Sequence, residues 1–137
     1  MERRNTAALL YRAYLRLAGE INDTVLSRTP EVRAAHATVF LNMELDGIRL
    51  TRLAEKAQMT PQAMGELVDE LERLGYLRRT PDPTDRRAKL IIFSSRGREA
   101  LETAFDVIDG VERELARSLG RAKLTELQNT LEKIIGE

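Results

Sequence analysis

A mainly α chain with one β-hairpin is predicted by three features of residues 50–94. Leu50, Leu53, Ala54 and Ala57 carry the i, i+3, i+4, i+7 spacing of one buried helical face. After only Gln58, Met59 and Thr60, the spacing resumes at Met64, Leu67, Val68, Leu71 and Leu74. Thr60 suits an N-cap, its hydroxyl accepting an orphan backbone N–H, and Pro61 suits the first helical position, where a missing N–H costs nothing. Gly75 suits the C′ position that ends the second helix. Two helices so closely joined predict a helix-turn-helix. The third feature follows directly. Tyr76–Thr80 and Lys89–Phe93 are strand-like, with Pro81, Asp82, Pro83, Asp85, Arg86 and Arg87 at the tip between them. A helix-turn-helix followed by a basic-tipped hairpin is a winged helix, the hairpin being its wing.

The flanking segments are helical. Residues 5–28 carry an apolar stripe of Leu10, Tyr14, Leu17, Ala18, Ile21 and Val25, widened by Tyr11 and Leu15, which points to more than one partner helix. Ser27 to Thr29 break the pattern, and Thr29 and Pro30 predict a new helix start. That helix runs to about Met43, with Val32, Ala35, Val39, Phe40 and Met43 inside and His36 on the same face. Asp46-Gly47 predicts a turn, and Ile48 and Arg49 a short third strand beside the wing. After the wing, Ser94 or Ser95 caps a helix whose stripe is Leu101, Ala104, Phe105, Ile108, Val111, Leu115 and Leu119. Gly120 breaks it, and Leu124, Leu127, Leu131 and Ile134 mark the last helix. The first and the last two helices carry more apolar surface than a small winged-helix core covers, and exposed stripes of that size mark an interface. The expected organisation is a single winged-helix domain over 1–137, with a lobe at 31–95 and flanking helices at 5–28 and 96–136.

Composition removes several classes of function. A chain of 137 residues can bury a core. It has no cysteine, which excludes disulfides, thiolate metal sites and thiol-based redox sensing within it. With one histidine, a histidine-rich metal site is not expected, and neither is a cofactor. A Ser-His-Asp arrangement would have to use His36, the glycines are scattered at breaks, and the carboxylates lie on exposed helical faces, so no enzyme is expected. Met1-Glu2-Arg3-Arg4 leads into a mixed stretch unlike a signal peptide, and no apolar run spans a bilayer, so a cytoplasmic protein without a membrane partner is expected. The net charge of zero lends no support to nucleic-acid binding. Its distribution does: Arg73, Arg78, Arg79, Arg86, Arg87 and Lys89 face only Asp82 and Asp85 in residues 73–89. From charge alone, a solvated hairpin is the favoured reading.

The run DPTDRRAKLIIFSSRG, residues 82–97, resembles the wing signature of the MarR family of bacterial transcription regulators: an Asp-x-Arg turn at Asp85, Arg86 and Arg87, a strand, then serine before glycine. LVDELERLGYL, residues 67–77, is similar to that family's recognition helix and its exit. The resemblance implies a homodimer joined through the helices at 5–28 and 96–136. It also implies a sequence-specific regulator of double-stranded DNA that represses at a pseudo-palindromic operator and is released by a small effector. Arg87 matches the arginine that enters the minor groove, where a narrow groove concentrates negative potential, and Asp85 the aspartate that holds it. Arg78, Arg79, Arg86 and Lys89 are candidates for phosphate.

On the second helix of the helix-turn-helix, Gln62, Glu66, Asp69 and Arg73 fall on one line opposite the Leu67–Leu71 face. Gln62 can pair with adenine, Ala63 can touch a thymine methyl, and Thr60 can bind a phosphate. Glu66 can accept from cytosine N4 but repels phosphate, and Asp69 and Arg73 are i, i+4 partners able to neutralise each other. The family's effector pocket lies where the dimerisation helices meet the lobe, which nominates Tyr11, Arg12, Arg16, His36 and Phe40. A lone histidine on an apolar face is more often a satisfied core residue, which is the bland reading of His36. The alternative for the whole chain is a winged-helix protein–protein interaction module without a specific DNA site, which an acidic recognition face would suit.

Overall fold

The computed structural model describes residues 4–136, so Met1 to Arg3, part of the stretch read for a signal peptide, lie outside the described residues together with Glu137. The order is α1 (Thr6–Arg28), α2 (Ala34–Asn42), α3 (Leu50–Lys56), α4 (Pro61–Arg73), β1 (Leu77–Asp82), β2 (Asp85–Phe93), α5 (Ser95–Leu119) and α6 (Arg121–Ile135). The chain is mainly helical with one antiparallel two-stranded sheet. It divides into two compact units, one of Asn22–Ala104 and one of the residues up to Ile21 with those from Phe105.

The Asn22–Ala104 unit is the winged helix. Its core joins Val39 of α2, Leu53 and Ala54 of α3, Met64, Val68 and Leu71 of α4, and Tyr76, Leu77, Ile91 and Phe93 of the hairpin. The Val, Leu, Ile, Met and Phe side chains among them each contribute about 1.5–3 kcal/mol by leaving water. Phe40 stacks on Phe93 and meets Tyr76 edge-on, with ring centroids 6.1 Å apart in both pairs. The turn between α3 and α4 closes through Gln58 in a left-handed conformation, φ 54°, with Met59 N–H donating to Ala54 O at 2.9 Å. Thr60 is the N-cap of α4, its hydroxyl oxygen accepting from Ala63 N–H at 3.1 Å, and Pro61 opens the helix.

Three details depart from the sequence expectations. First, α2 starts at Ala34 rather than after Thr29-Pro30. The Thr29 hydroxyl donates to Val25 O at 2.8 Å, closing α1, while Arg33 N–H at the start of α2 is satisfied by His36 Nδ1 at 2.9 Å. Second, the strand at Ile48 and Arg49 shrinks to a single bridge, Ile48 to Ile91, and Arg49 serves as the N-cap of α3. Third, the wing strands run further towards the tip than Thr80 and Lys89. Asp82 Oδ1 folds the turn by accepting from both Thr84 N–H and Thr84 Oγ1 at 2.8 Å. Between the pairs Pro81–Lys89 and Asp82–Asp85 the register shifts: β1 advances by one residue and β2 by four, leaving Arg86, Arg87 and Ala88 without a partner across the ladder.

Ser94, rather than Ser95, caps α5: its Oγ accepts from Gly97 N–H at 3.0 Å and donates to Gly75 O at 2.5 Å. The glycine at 97 has a steric cause. A Cβ there would lie 2.0 Å from the Tyr76 carbonyl oxygen.

In the second unit, Gln128 Nε2 on α6 donates to Glu112 Oε2 on α5 at 3.2 Å. Val107 is the hydrophobic residue it buries, among the described residues, while Tyr11, Tyr14, Leu15, Phe105, Ile134 and Ile135 are half or more exposed.

Two substitutions test the backbone constraints by thermal denaturation. Gly97→Ala forces a methyl against a fixed carbonyl and should cost about 3 kcal/mol or more. Gln58→Gly relieves a left-handed side-chain clash worth roughly 1–2 kcal/mol, partly offset by the freedom glycine adds to the unfolded chain, so a net gain of a few tenths to about 1 kcal/mol is expected. Unchanged melting in the first variant, or a lower midpoint in the second, would contradict these assignments.

Candidate nucleic-acid interface

The outer line of α4 is where the sequence places it: Gln62, Glu66, Asp69 and Arg73 are exposed, and Ala63 is half-buried at the helix start. Thr60 is exposed, with its oxygen engaged by Ala63 N–H and its O–H left to donate. The expected Asp69–Arg73 pair is replaced. Arg79 Nη1 lies 2.9 Å from both Asp69 Oδ1 and Glu72 Oε1, and Arg79 N–H reaches Glu72 Oε2 at 3.2 Å. The turn at Gly75 brings β1 back along the last turns of α4, so two carboxylates share one half-buried guanidinium. That arrangement outcompetes a single exposed i, i+4 pair. Arg79 is thereby withdrawn from the phosphate candidates, while Asp69 and Glu72 are neutralised.

The remaining wing cations are presented differently. Arg78, Arg86, Arg87 and Lys89 are exposed, and their side chains form no ion pair among the described residues. Asp85 Oδ1 accepts from the backbone N–H of Arg87 at 3.0 Å, so it shapes the bulge rather than gripping the Arg87 guanidinium.

The sequence did not single out Arg49 or the role of Asp82. Arg49 Nε donates to Asp82 Oδ2 at 2.9 Å and its Nη2 lies 2.8 Å from the same oxygen; Asp85 Oδ2 is 3.9 Å from that Nη2. The Asp82 side chain is only 8% exposed although it sits at a hairpin tip. Thr84 N–H and hydroxyl, then Arg49, hold its carboxyl below the ordinary aspartate value. The Asp-x-Thr turn at 82–84 was legible locally; its arginine, 33 residues away, was not.

His36 is buried and satisfied at both ring nitrogens. Nδ1 accepts from Arg33 N–H, so the ring hydrogen sits on Nε2 and is donated to Glu70 Oε2 at 2.7 Å. Glu70 Oε2 also takes Arg33 Nη2 at 2.5 Å, and Arg33 and then His36 lower its pKa. Glu31 accepts from the Tyr76 hydroxyl and from Arg96, whose guanidinium lies 4.5 Å above the Tyr76 ring. The Tyr76 bond, above all, lowers Glu31, while burial and then Glu31 raise Tyr76. Of the effector candidates, His36 and Phe40 are therefore integral to the winged-helix core. Tyr11, Arg12 and Arg16 are exposed on α1, with Arg16 3.9 Å from Glu20. Among the described residues no group of three or more His, Cys, Asp or Glu could hold a metal, and no helix is long and apolar enough to cross a membrane.

These shifts fix the sign of the pH dependence. Glu31, Glu70 and Asp82 titrate below their ordinary 4.5, 4.5 and 3.8, so the stability they lend is present above those values and is lost as pH falls through the lower folded values. Tyr76 titrates above its ordinary 10.0, so its contribution is present below that value and lost as pH rises through the folded one. Melting temperature should be level between about pH 5 and 9 and fall on both sides. Glu70→Gln and Asp82→Asn should each flatten the acid limb; an unchanged limb in both would refute the assignment.

The MarR family model matches residues 36–89, from the buried histidine of α2 to the lysine of the wing. Transcriptional regulator HosA of Escherichia coli O111:H- is 32% identical over 75 residues, 55% of this chain, and the chain spans about half the length of that relative, 53%. Over nearly the whole chain, the fold is similar to the transcriptional repressor CouR bound to a 23-mer DNA duplex: 25% identity, TM-score 0.76, 98% of this chain and 99% of that one. CouR from Rhodococcus jostii RHA1 bound to p-coumaroyl-CoA is 28% identical over 92% of this chain and 88% of that one, with a TM-score of 0.74. The MarR family match falls on the helix-turn-helix and wing, and the similarity of fold to the two CouR structures extends through the flanking helices.

Proposed function

We propose that the protein is a homodimeric, sequence-specific DNA-binding regulator that represses transcription by occupying a pseudo-palindromic operator, and that a small molecule releases it. One observation carries this reading. Arg78, Arg86, Arg87 and Lys89 stand exposed on the wing and, among the described residues, without ion pairs, beside an α4 whose outer face is open to solvent. In this docking mode the N-terminal half of the recognition helix enters the major groove, with Thr60, Gln62, Ala63 and Glu66 nearest the bases and phosphates. The protein–protein alternative drew on an acidic recognition face. That support weakens, because Arg79 neutralises Asp69 and Glu72 and leaves Glu66 as the open carboxylate of the line.

Dimerisation is supported by the exposed Tyr14, Leu15, Phe105 and Ile134 of α1, α5 and α6. The DNA-bound and p-coumaroyl-CoA-bound forms of CouR support an effector-released repressor. For this chain we place the effector contacts on Tyr11, Arg12 and Arg16, whose aromatic and cationic groups suit an anionic ligand. The work is done in the cytoplasm by binding alone, with no catalytic step and no cofactor.

Selection from a randomised duplex pool tests the reading. Two inverted half-sites about one helical turn apart, roughly 10 bp, are expected. On the enriched duplex, Arg86→Ala should lower the salt slope by about 0.9 and weaken all sequences alike. Arg87→Ala should cost more on A·T-rich than on G·C-rich flanks. Arg79→Ala should leave the salt slope unchanged. An unpaired half-site would contradict the dimeric mode, and no enrichment at all would favour the protein–protein module.

A further inference from the structure

Resting on the DNA-binding reading, we propose that Arg49 is a positioning residue for minor-groove recognition: its clamp on Asp82 fixes the wing bulge that carries Arg86 and Arg87. Arg49 sits at the N-cap of α3, in the helix-turn-helix, and Asp82 sits in the turn of the wing. The two are joined by the 2.9 and 2.8 Å contacts of a charged pair, with Asp82 almost wholly covered. The other Asp82 oxygen holds Thr84 N–H and Thr84 Oγ1, and Asp85 lies near enough to feel the same guanidinium. Asp82 is thus pinned at both oxygens.

The register shift begins at this residue. The unpaired Arg86, Arg87 and Ala88 lie on β2 between the Asp82–Asp85 and Pro81–Lys89 pairs, and an unpaired segment of strand has no ladder bonds of its own to fix its direction. Its anchors are Asp85 Oδ1 on Arg87 N–H and, beneath that, the Arg49–Asp82 clamp. Arg49 therefore ties the start of α3, the first helix of the helix-turn-helix, to the element proposed to enter the minor groove.

Three roles for Arg49 predict different outcomes. A positioning residue makes Asp82→Asn and Arg49→Ala behave alike. Each should weaken binding to the duplex enriched by the wild-type protein on the order of tenfold, as for loss of one base-level contact. Each should also erase the preference for A·T-rich flanks, and neither loss should add to that of Arg87→Ala. Arg49→Lys, which keeps charge without the guanidinium fork, should recover part of the affinity. A direct phosphate contact would instead make Asp82→Asn bind more tightly, since it frees the arginine and removes a negative charge. A merely structural role would lower the melting temperature while leaving the flank preference intact. Either outcome overturns the proposal.

A measurement without DNA separates failure of this inference from failure of the DNA-binding reading. Amide hydrogen exchange at Thr84 and Arg87 should accelerate in full-length Arg49→Ala while the amides of α4 hold. Unchanged exchange at both positions sinks the clamp, even if the wild-type protein binds its operator. If exchange accelerates but the wild-type protein enriches no duplex, it is the DNA-binding reading that falls and the proposed recognition role falls with it.

Discussion

Tyr76 is the point on which the winged helix hangs. Its N–H donates to Leu71 O at 2.9 Å while Gly75 N–H donates to Glu72 O at 3.0 Å, the two bonds of a Schellman ending, with Gly75 at φ +86°. Its carbonyl accepts Ser94 N–H at 3.0 Å, which seats the start of α5 and leaves no room for a Cβ at residue 97. Its ring meets Phe40 of α2 and receives Arg96 of α5, and its hydroxyl ends on Glu31 in the α1–α2 connection. One residue thus closes α4, opens the wing and holds the α1–α2 connection and the start of α5. A buried phenol at such a junction must have its hydroxyl satisfied, which is why Glu31 is needed there.

The neutrality of the chain becomes intelligible once its charges are assigned. Five acidic side chains of the winged helix are spent on internal partners: Glu70 on Arg33 and His36, Asp69 and Glu72 on Arg79, Asp82 on Arg49, Glu31 on Arg96. On the wing, Arg78, Arg86, Arg87 and Lys89 form no ion pair among the described residues. A net charge of zero gives little long-range attraction, whereas open guanidinium groups are felt within a Debye length of about 8–10 Å.

Local chemistry was readable in the sequence, and distant pairing was not. The Thr60 cap, the Pro61 start, the Gly75 stop and the Met64–Val68–Leu71 face depend on neighbours within a turn or two, and all stand in the structure. The start of α2 was misjudged because two groups competed for the same role: Thr29 closed the preceding helix, and a histidine nitrogen supplied the bond at the next. The partner of Asp69 was misjudged because Arg79 approaches only once β1 has folded back. Arg49 carried no local mark at all; its meaning comes from a residue of the wing. Positions of the candidate DNA contacts followed from periodicity on α4 and from the family resemblance on the wing, whereas the division of the arginines into paired ties and open heads required the fold.

The thin core of the unit formed by α1, α5 and α6 has a consequence for how the protein exists at low abundance. With Val107 its buried hydrophobic among the described residues, that unit removes little apolar surface from water by itself, and helices gain most of their stability from such burial. A second copy that covers Tyr14, Leu15, Phe105 and Ile134 would supply the missing burial, and mass action would then link order in these helices to the number of molecules in the cell. In the proposed dimer, the flanking helices would lose this support below the concentration at which copies meet, and abundance would become an input to the proposed switch alongside any ligand.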